Sequence, residues 1–253
     1  MRPSAIGRIL FWRGGSLWIG LAGEAAVRHA HHAVQIALPF PGGRVQFQDR
    51  SGQWTSYSAA LVPAHEPHAF EARNQFVAQI FVDPESQDGR ILQRRHHNQS
   101  VVALQAKSLT QEVADLAAAY QARAKDSTLT ELARKVTTTL SGDLTDPASQ
   151  TDERISRALQ MMREQLGNSI PLGKIASAVH LSPDRFRHLF VAETGVTFRA
   201  YLLWQRLERS LVAYIGGESL TEAALTGGFA DSAHFSRTFR RMFGIAPASV
   251  RPE

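Results

Sequence analysis

The stretch GGFADSAHFSRTFRRMFGIAPASVR, residues 227–251, decides how this sequence is interpreted. At about 100° per residue, its apolar residues and its basic or small residues fall on opposite faces of a helix: Phe235, Phe239 and Met242 against Ala233, Arg237 and Arg240. Asp231 stands before this helix as a side-chain N-cap, and Gly244 and Pro247 follow it. The pattern predicts an amphipathic helix with a basic face, which in isolation is also typical of a solvated surface helix.

A segment upstream repeats this plan. In LGKIASAVHLSPDRFRHLFVAETG, residues 172–195, the alanine, phenylalanine and glycine positions recur with one residue of slip inside the turn: Ala176 for Ala224, Phe186 for Phe235, Phe190 for Phe239 and Gly195 for Gly244. Ser182 with Pro183 is a helix start, and Ser219 with Glu222 is a capping box. Each copy therefore predicts a short helix, a tight turn and a second helix, the helix-turn-helix plan whose second helix enters the DNA major groove.

The doubled unit resembles a known family. GFADSAHFSRTFRRMFG followed by APASVR is similar to the DNA-binding domain of the AraC/XylS family of bacterial transcription regulators, and the similarity covers about residues 152–251. The first copy departs from the family pattern at His188 and Val191, where Arg and a basic residue are common. The resemblance implies a sequence-specific regulator that binds double-stranded promoter or operator DNA, contacts RNA polymerase and activates transcription in response to an effector.

We predict DNA contacts on the second helix of each copy: Ser182, Arg185, Arg187 and His188 on the first, and Ser232, Ser236, Arg237, Arg240 and Arg241 on the second. Arg187 and His188 are the candidates for base edges, and Arg185 is the candidate for a phosphate contact. In the second copy, Arg237 is the candidate for a bidentate guanine contact, while the two later arginines hold the DNA backbone. The formal charge of +5 is modest, so the placement of the arginines carries this prediction.

The N-terminal third consists of short segments rich in Val, Ile, Phe and Trp: RILFW, SLWIGL, AVQIAL, RVQFQ, AALVP, HAFEA and QFVAQIFV. Glycine, proline and aspartate separate them, and seven such strands predict an antiparallel sandwich or jelly-roll barrel. HAHHAVQIALPFPGG (29–43) and ALVPAHEPHAF (60–70) resemble the cupin-like sensor domain that many AraC-type regulators carry at their N-terminus. The resemblance implies that this domain binds a small-molecule effector.

Those two stretches concentrate histidines, and the predicted effector-pocket residues are His29, His31 and His68. In metal cupins, a His-x-His pair, a later histidine and a carboxylate hold a metal ion, but Gln35 stands where the acidic ligand is expected. Alternation sends His31 and His32 to opposite faces, so at most one points inward with its strand. We therefore predict pocket or turn histidines, no metal, no other cofactor and no enzymatic activity. The alternative is a metal-dependent cupin enzyme with a helical appendage.

The middle of the chain connects these two regions. Residues 90–106 lack clear periodicity and are predicted to be a solvated connector, and two amphipathic helices follow within residues 108–140. The first of these helices carries a seam with spacings of four, three and four: Leu109, Val113, Leu116 and Tyr120. Such a seam either packs within the chain or forms a dimer, and the family resemblance favours a homodimer through residues 108–140.

The polar segment SGDLTDPASQ, residues 141–150, is the predicted hinge. The chain is thus predicted to be α+β, with three parts: a cupin-like effector-sensing domain at 1–105, a helical linker and dimerisation region at 106–150, and an all-α double helix-turn-helix domain at 151–253. Between the two copies, TFRAYLLWQRLERSLVAYIGG predicts one long helix.

Composition sets the remaining bounds. The 253 residues include no cysteine, which excludes disulfides and cysteine-based metal sites. No apolar run reaches the roughly 18 residues of a membrane span, and Arg8 and Arg13 interrupt any signal-peptide core. We therefore predict a cytoplasmic protein without membrane contact.

Overall fold

A computed structural model of the chain describes residues 5–142, 151–166 and 170–252. The chain forms two compact units. The first unit comprises Met1–Asp146 together with Phe239–Glu253, and the second comprises Pro147–Thr238. Antiparallel sheets dominate the N-terminal region and α-helices the C-terminal region, which confirms the α+β fold class.

Eleven strands occur in the described part of the first unit: β1 (Ala5–Trp12), β2 (Gly15–Ala22), β3 (Ala26–His29), β4 (Val34–Pro39), β5 (Val45–Gln48), β6 (Trp54–Tyr57), β7 (Ala60–Val62), β8 (His68–Glu71), β9 (Phe76–Val82), β10 (Val102–Ala103) and β11 (Val250–Pro252). Seven form one sheet in the order β10-β7-β4-β9-β2-β1-β11, and four form a second sheet in the order β3-β8-β5-β6. Strand β11 pairs with β1 in parallel, and the other pairs are antiparallel.

All seven predicted strands are confirmed, and four strands are not predicted: β3, β6, β10 and β11. The burial pattern gives the reason for β6: its four residues, WTSY, are exposed or half-buried, so they carry no apolar periodicity. In contrast, every residue of β4 is buried because this strand lies inside the seven-stranded sheet. Apolar patterns therefore predict seven strands, and they miss β6 because its residues carry no such pattern.

Helix α1 (Gln87–His96) corrects the prediction of a solvated connector over residues 90–106. The Ser86 hydroxyl caps this helix by accepting a 3.0 Å hydrogen bond from the amide of Gly89. Ile91 and Leu92 are buried, whereas the arginines and histidines near the end of the helix hid its amphipathic pattern.

Helices α2 (Thr110–Gln121) and α3 (Asp126–Ser141) pack against the seven-stranded sheet. Leu109, Leu116 and Tyr120 from the predicted seam are buried in one apolar cluster with Leu17 and Ile36 of that sheet. The seam is therefore an intramolecular contact, which corrects its assignment as a dimer contact. A dimer through residues 108–140 would have to use the outer faces of these helices.

The C-terminal segment of the chain joins the first unit. A short 3₁₀ turn at Pro247–Ser249 leads into β11, whose backbone pairs with β1. The rings of Trp18 and Phe243 lie 4.9 Å apart, and those of Trp18 and Phe239 lie 6.3 Å apart. Apolar and aromatic packing thus holds residues from Phe239 onward in this unit.

The helices of the second unit are α4 (Glu153–Glu164), α5 (Leu172–Ala178), α6 (Pro183–Thr194), α7 (Phe198–Ile215), α8 (Leu220–Thr226) and the first part of α9 (Ser232–Phe243). The core of α4 to α7 includes fully buried Ile155, Phe186 and Phe190, with Tyr201 1% exposed. The predicted hinge lies largely outside the described residues, since 143–150 are not among them. Among the described residues, no helix combines the length and the apolar character that a bilayer span requires.

Candidate DNA-reading helices and histidine site

The two predicted repeats share one turn geometry. After α5, the amides of His180 and Leu181 donate hydrogen bonds of 3.0 and 2.9 Å to the carbonyls of Ser177 and Ala176. After α8, the equivalent amides donate bonds of 2.9 Å each: Gly228 to Leu225, and Phe229 to Ala224. His180 and Gly228 also both adopt positive φ, at 58° and 81°. The equivalent residues are 48 positions apart in the turns and 49 apart in the helices that follow, so the predicted one-residue slip is confirmed.

Side-chain caps start each second helix, and glycines end it. The Ser182 hydroxyl accepts a 3.4 Å hydrogen bond from the amide of Arg185 at the start of α6. At the start of α9, the Asp231 carboxylate accepts a 2.6 Å bond from the amide of His234. Gly195 and Gly244 close α6 and α9 with φ values of 73° and 72°, which favour glycine. Local sequence therefore fixes the length and position of both helices.

Helix α6 presents the predicted contact residues outward. Phe186 and Phe190 are fully buried, while the predicted DNA-contacting side chains are exposed: Arg185, Arg187 and His188. Arg187 also bonds the Asp184 carboxylate one turn earlier, which orients its guanidinium along the exposed face. Ser182 is exposed, but its hydroxyl serves as the helix cap. These DNA contacts stay predictions.

Helix α9 has the same division between a buried and an exposed face. Phe235 and Phe239 are fully buried. Arg237, Arg240 and Arg241 are exposed, and Ser232 and Ser236 are half-buried. One detail of the apolar stripe differs from the prediction, because Phe243 is buried and Met242 only half-buried. The basic face of α9 is thus accessible, as a DNA-reading helix requires.

In the first unit, the three predicted pocket histidines lie together. His29 ends β3 and pairs across the smaller sheet with His68, the first residue of β8. His31 lies in the bend after β3, and the three ring centroids are 4.2 to 5.7 Å apart. One ligand nitrogen from each ring lies within 4.8 Å of the other two, and all three residues are buried.

Burial keeps these histidines neutral at pH 7. It lowers the pKa of His29 to about 3, with a further contribution from His31, and it lowers the pKa of His31 to about 4. The pKa of His68 is also lowered well below its usual value, again mainly by burial. The cluster therefore offers uncharged imidazoles, the form that binds metal ions.

His32 corrects the prediction that only one of two adjacent histidines turns inward. Both His31 and His32 are buried, because they lie in a bend between strands where alternation does not apply. His32 Nε2 lies 2.6 Å from a Glu85 oxygen, and its Nδ1 lies 3.2 Å from His65 Nε2. Burial alone would lower the pKa of His32, but the charge and hydrogen bond of Glu85 raise it overall. The sequence pattern gave no sign of Glu85.

A cavity of about 80 Å³ adjoins the histidine cluster inside the first unit. Its lining combines aromatic rings with a few polar side chains, among them Trp18, His29, Gln35, Gln79, Phe81 and Phe243. The amide of Gln35 reaches both His31 and Gln79, with its Oε1 3.1 Å from His31 Nε2 and its Nε2 2.5 Å from Gln79 Oε1. Apolar walls with a few convergent polar groups are typical of a small-ligand site.

The C-terminal region is similar in sequence to known proteins. Residues 175–253 match the helix-turn-helix domain family. The chain is 32% identical over 110 residues to the HTH-type transcriptional activator RhaS of Klebsiella pneumoniae (strain 342), covering 43% of this chain and 39% of that protein. It is 32% identical over 139 residues to the transcriptional activator NphR of a Rhodococcus species, covering 54% and 40%. These alignments span about 40% of each relative. They confirm the resemblance of this region to AraC/XylS regulators.

Solved structures show a similar fold over most of the chain. A structure of ToxT from Vibrio cholerae superposes with a TM-score of 0.57 at 14% identity, covering 92% of this chain and 95% of that chain. Unsaturated fatty acid-bound ToxT from Vibrio cholerae strain SCE256 gives a TM-score of 0.55 at 12% identity, covering 91% of both chains. The shared fold thus includes the N-terminal β-rich region as well as the helix-turn-helix region.

Proposed function

We propose that this chain, which carries a helix-turn-helix domain of the AraC/XylS type, is an effector-responsive regulator that binds specific double-stranded DNA and activates transcription. The observation that supports this most is the repetition of one turn geometry before two helices with exposed arginines. A single basic helix is common on protein surfaces, whereas two copies of the same turn, cap and basic face are expected for a DNA reader.

The two second helices are proposed to read adjacent major grooves. Helix α7 connects the copies with 18 residues, which span about 27 Å at 1.5 Å per residue. This length is comparable to the roughly 34 Å between successive major-groove faces. Arg237 then contacts a guanine, Arg187 and His188 contact base edges, and Arg185 holds a phosphate.

The histidine cluster and its cavity are proposed to be the effector site. His29, His31 and His68 are buried within the first unit, next to a cavity with aromatic and amide walls. A ligand that contacts these residues gains both apolar contacts and directed hydrogen bonds. One of the ToxT structures contains a bound unsaturated fatty acid. That ligand belongs to ToxT, and its presence supports the proposal that this fold can hold a small ligand.

The family resemblance supports further proposals about partners, location, oligomeric state and activity. We propose RNA polymerase as a protein partner, the cytoplasm as the location, and a homodimer that uses the outer faces of α2 and α3. We also propose a binding role without catalysis, since the two relatives described above, RhaS and NphR, are named as transcriptional activators.

Selection of DNA fragments tests this function. Random duplexes incubated with the purified full chain at about 0.15 M salt are recovered and sequenced over several rounds. The proposal expects a motif with two half-sites about one helical turn apart. A chain that enriches no motif, and whose weak binding disappears evenly with rising salt, would be a non-specific binder.

A further inference from the structure

We infer that His29, His31 and His68 form a binding site for a divalent transition-metal ion, with Zn²⁺ as the best match, in place of the metal-free pocket expected from the sequence. This inference assigns a chemical class to the effector, and only its regulatory part rests on the proposed function. Imidazole nitrogen is a preferred ligand for Zn²⁺ and related first-row ions, whereas Mg²⁺ and Ca²⁺ prefer oxygen.

The three ligand nitrogens are already close to a coordinating arrangement. They lie within 4.8 Å of one another. A tetrahedral ion with bonds of about 2.0–2.1 Å needs about 3.4 Å between neighbouring nitrogens. Small rotations that move each nitrogen by less than about 1 Å therefore complete the site. Two of the histidines face each other on paired strands, which limits the cost of holding them in place.

Hydrogen bonds fix which nitrogen each ring offers. The Nδ1 atom of each histidine lies within hydrogen-bond distance of a backbone carbonyl: 2.7 Å for His29 to Val27, 2.8 Å for His31 to Ala33 and 2.8 Å for His68 to Glu66. A carbonyl only accepts, so each Nδ1 carries the proton and donates. The Nε2 atoms of His29 and His68 then present lone pairs. At His31, the Nε2 lone pair faces the Gln35 Oε1 acceptor at 3.1 Å, and a cation bound between these two atoms would satisfy both. This pattern of outer hydrogen bonds is the one that orients metal-bound histidines.

The Nε2 atom of His68 is fully buried, and it makes no hydrogen bond with the residues that the structure describes. A buried acceptor without a partner costs free energy, and coordination of a cation removes this cost. The unpartnered nitrogen therefore points to a ligand independently of the ring distances.

The remaining coordination position favours an open site. The cluster formed by the described residues contains three histidines and no carboxylate. Gln35 Oε1 lies 3.1 Å from His31 Nε2, so an amide oxygen is available as a weak fourth ligand, and water is the other candidate. Three histidines and one exchangeable position are the ligand set of open zinc sites. His29 and Gln35 also line the adjoining cavity, which gives an exchangeable ligand room.

The site adjoins the end of α9 within the first unit. The rings of His31 and Phe243 are 6.0 Å apart, and a Cβ atom at Gly244 would lie 2.7 Å from His29 Nδ1. Rotation of His29 toward a metal ion therefore changes the surface against which the last residues of α9 pack. Because the same helix carries Arg237, the bound ion is inferred to change DNA affinity.

The test starts from the chelator-treated full chain. Calorimetric titration with Zn²⁺ and separately with Mg²⁺ gives affinities, and elemental analysis after dialysis gives the stoichiometry. We expect one Zn²⁺ per chain and no Mg²⁺. His29→Gln and His68→Gln should each weaken Zn²⁺ binding at least about 10- to 100-fold, the range for loss of an outer-shell partner. His97→Gln, at an exposed histidine outside the cluster, is the matched control and should bind as the wild type does.

Folding and DNA binding are measured on the same samples. Circular dichroism of each metal-free variant shows whether it is folded. If His68→Gln is unfolded, two other measurements decide whether the cluster binds the ion: the Zn²⁺ affinity of His29→Gln and the visible spectrum of the Co²⁺-loaded wild type. Absence of Zn²⁺ binding by the wild type, or unchanged affinity in the folded cluster variants, would overturn the site. Equal affinity for the selected duplex with and without Zn²⁺ would overturn the regulatory part. Failure to bind DNA in either state would instead refute the proposed function, while the Zn²⁺ stoichiometry still tests the site.

Discussion

The backbone amide of Val27 donates a 3.1 Å hydrogen bond to the carbonyl oxygen of Gly244. Gly244 ends α9 with a φ of 72°, and a Cβ atom there would lie only 2.3 Å from the Val27 carbonyl oxygen. Gly244, which ends α9, is therefore in direct backbone contact with β3 within the first unit. The same strand carries His29.

Replacement of Gly244 tests this close approach. Gly244→Ala should destabilise the first unit by about 1–3 kcal/mol from steric overlap, in addition to about 1 kcal/mol for a positive φ. Gly42→Ala is the matched control, because Gly42 has a φ of 84° and nothing within 4 Å of its added Cβ. Urea unfolding followed by tryptophan fluorescence gives both values. Equal losses of stability in the two variants would mean that the backbone at Val27 moves to accommodate the added methyl group without a cost in free energy.

A second glycine pair tests the packing of the second repeat. A Cβ at Gly227 would lie 1.9 Å from Ser210 Oγ and 2.5 Å from the Arg206 carbonyl oxygen of α7. Gly227→Ala should therefore cost about 1–3 kcal/mol. Gly173, inside α5, has open space around it, so Gly173→Ala should stabilise by about 0.4–1 kcal/mol. Thermal melts of both variants check the opposite signs, and a neutral Gly227→Ala would contradict the close helix packing.

The helix-turn-helix region was largely predictable from sequence. Its helices are bounded by residues whose chemistry is local, such as the Ser182 and Asp231 caps and the Gly195 and Gly244 ends. The repeat gives independent support, because the buried phenylalanines of the two copies align with each other. Local signals do not reveal that residues after Thr238 belong to the first unit, since that depends on partners such as Trp18, over 200 positions away.

The N-terminal region was predicted less completely. Its apolar strands are predicted, but β6 is not, because its residues are exposed or half-buried and carry no apolar periodicity. Helix α1 is not predicted either, because its basic residues hide the pattern of its buried ones. The grouping of His29, His31 and His68 was predicted as a pocket. The bend that also buries His32 against Glu85 was not, since strand alternation does not hold in a bend.

The assignment of the α2 seam to the core gives a further prediction. Leu116 is 1% exposed, so Leu116→Glu should destabilise the first unit by at least about 3 kcal/mol, from lost apolar contacts and a buried charge. Ala118→Glu, at an exposed position of the same helix, should leave stability nearly unchanged. If Leu116→Glu melts like the wild type but sediments as a monomer where the wild type is a dimer, the seam is an intermolecular contact.

Truncation tests the proposed DNA-binding domain. A fragment that begins at Thr151 keeps the apolar core of α4 to α7 and should fold into helices that bind the selected duplex. It also exposes Phe243 and Val250, which are buried in the full chain, so we expect lower solubility. Circular dichroism and fluorescence anisotropy on the fragment and the full chain provide the comparison, and an unfolded fragment would refute the boundary at 151.

The exposed face of α9 is proposed to read bases, and two of its arginines test this role most directly. Arg237→Ala should cost about 1–3 kcal/mol on the selected duplex with little loss on random DNA, because a guanidinium that binds guanine discriminates between bases. Arg241→Ala should weaken both duplexes about equally and lower the salt slope by about one. The measurement is a titration of both variants against both duplexes at several salt concentrations. A fall in the ratio of specific to random affinity for Arg237→Ala alone is the predicted result, and an unchanged ratio in that variant would contradict the assignment of α9 as a base-reading helix.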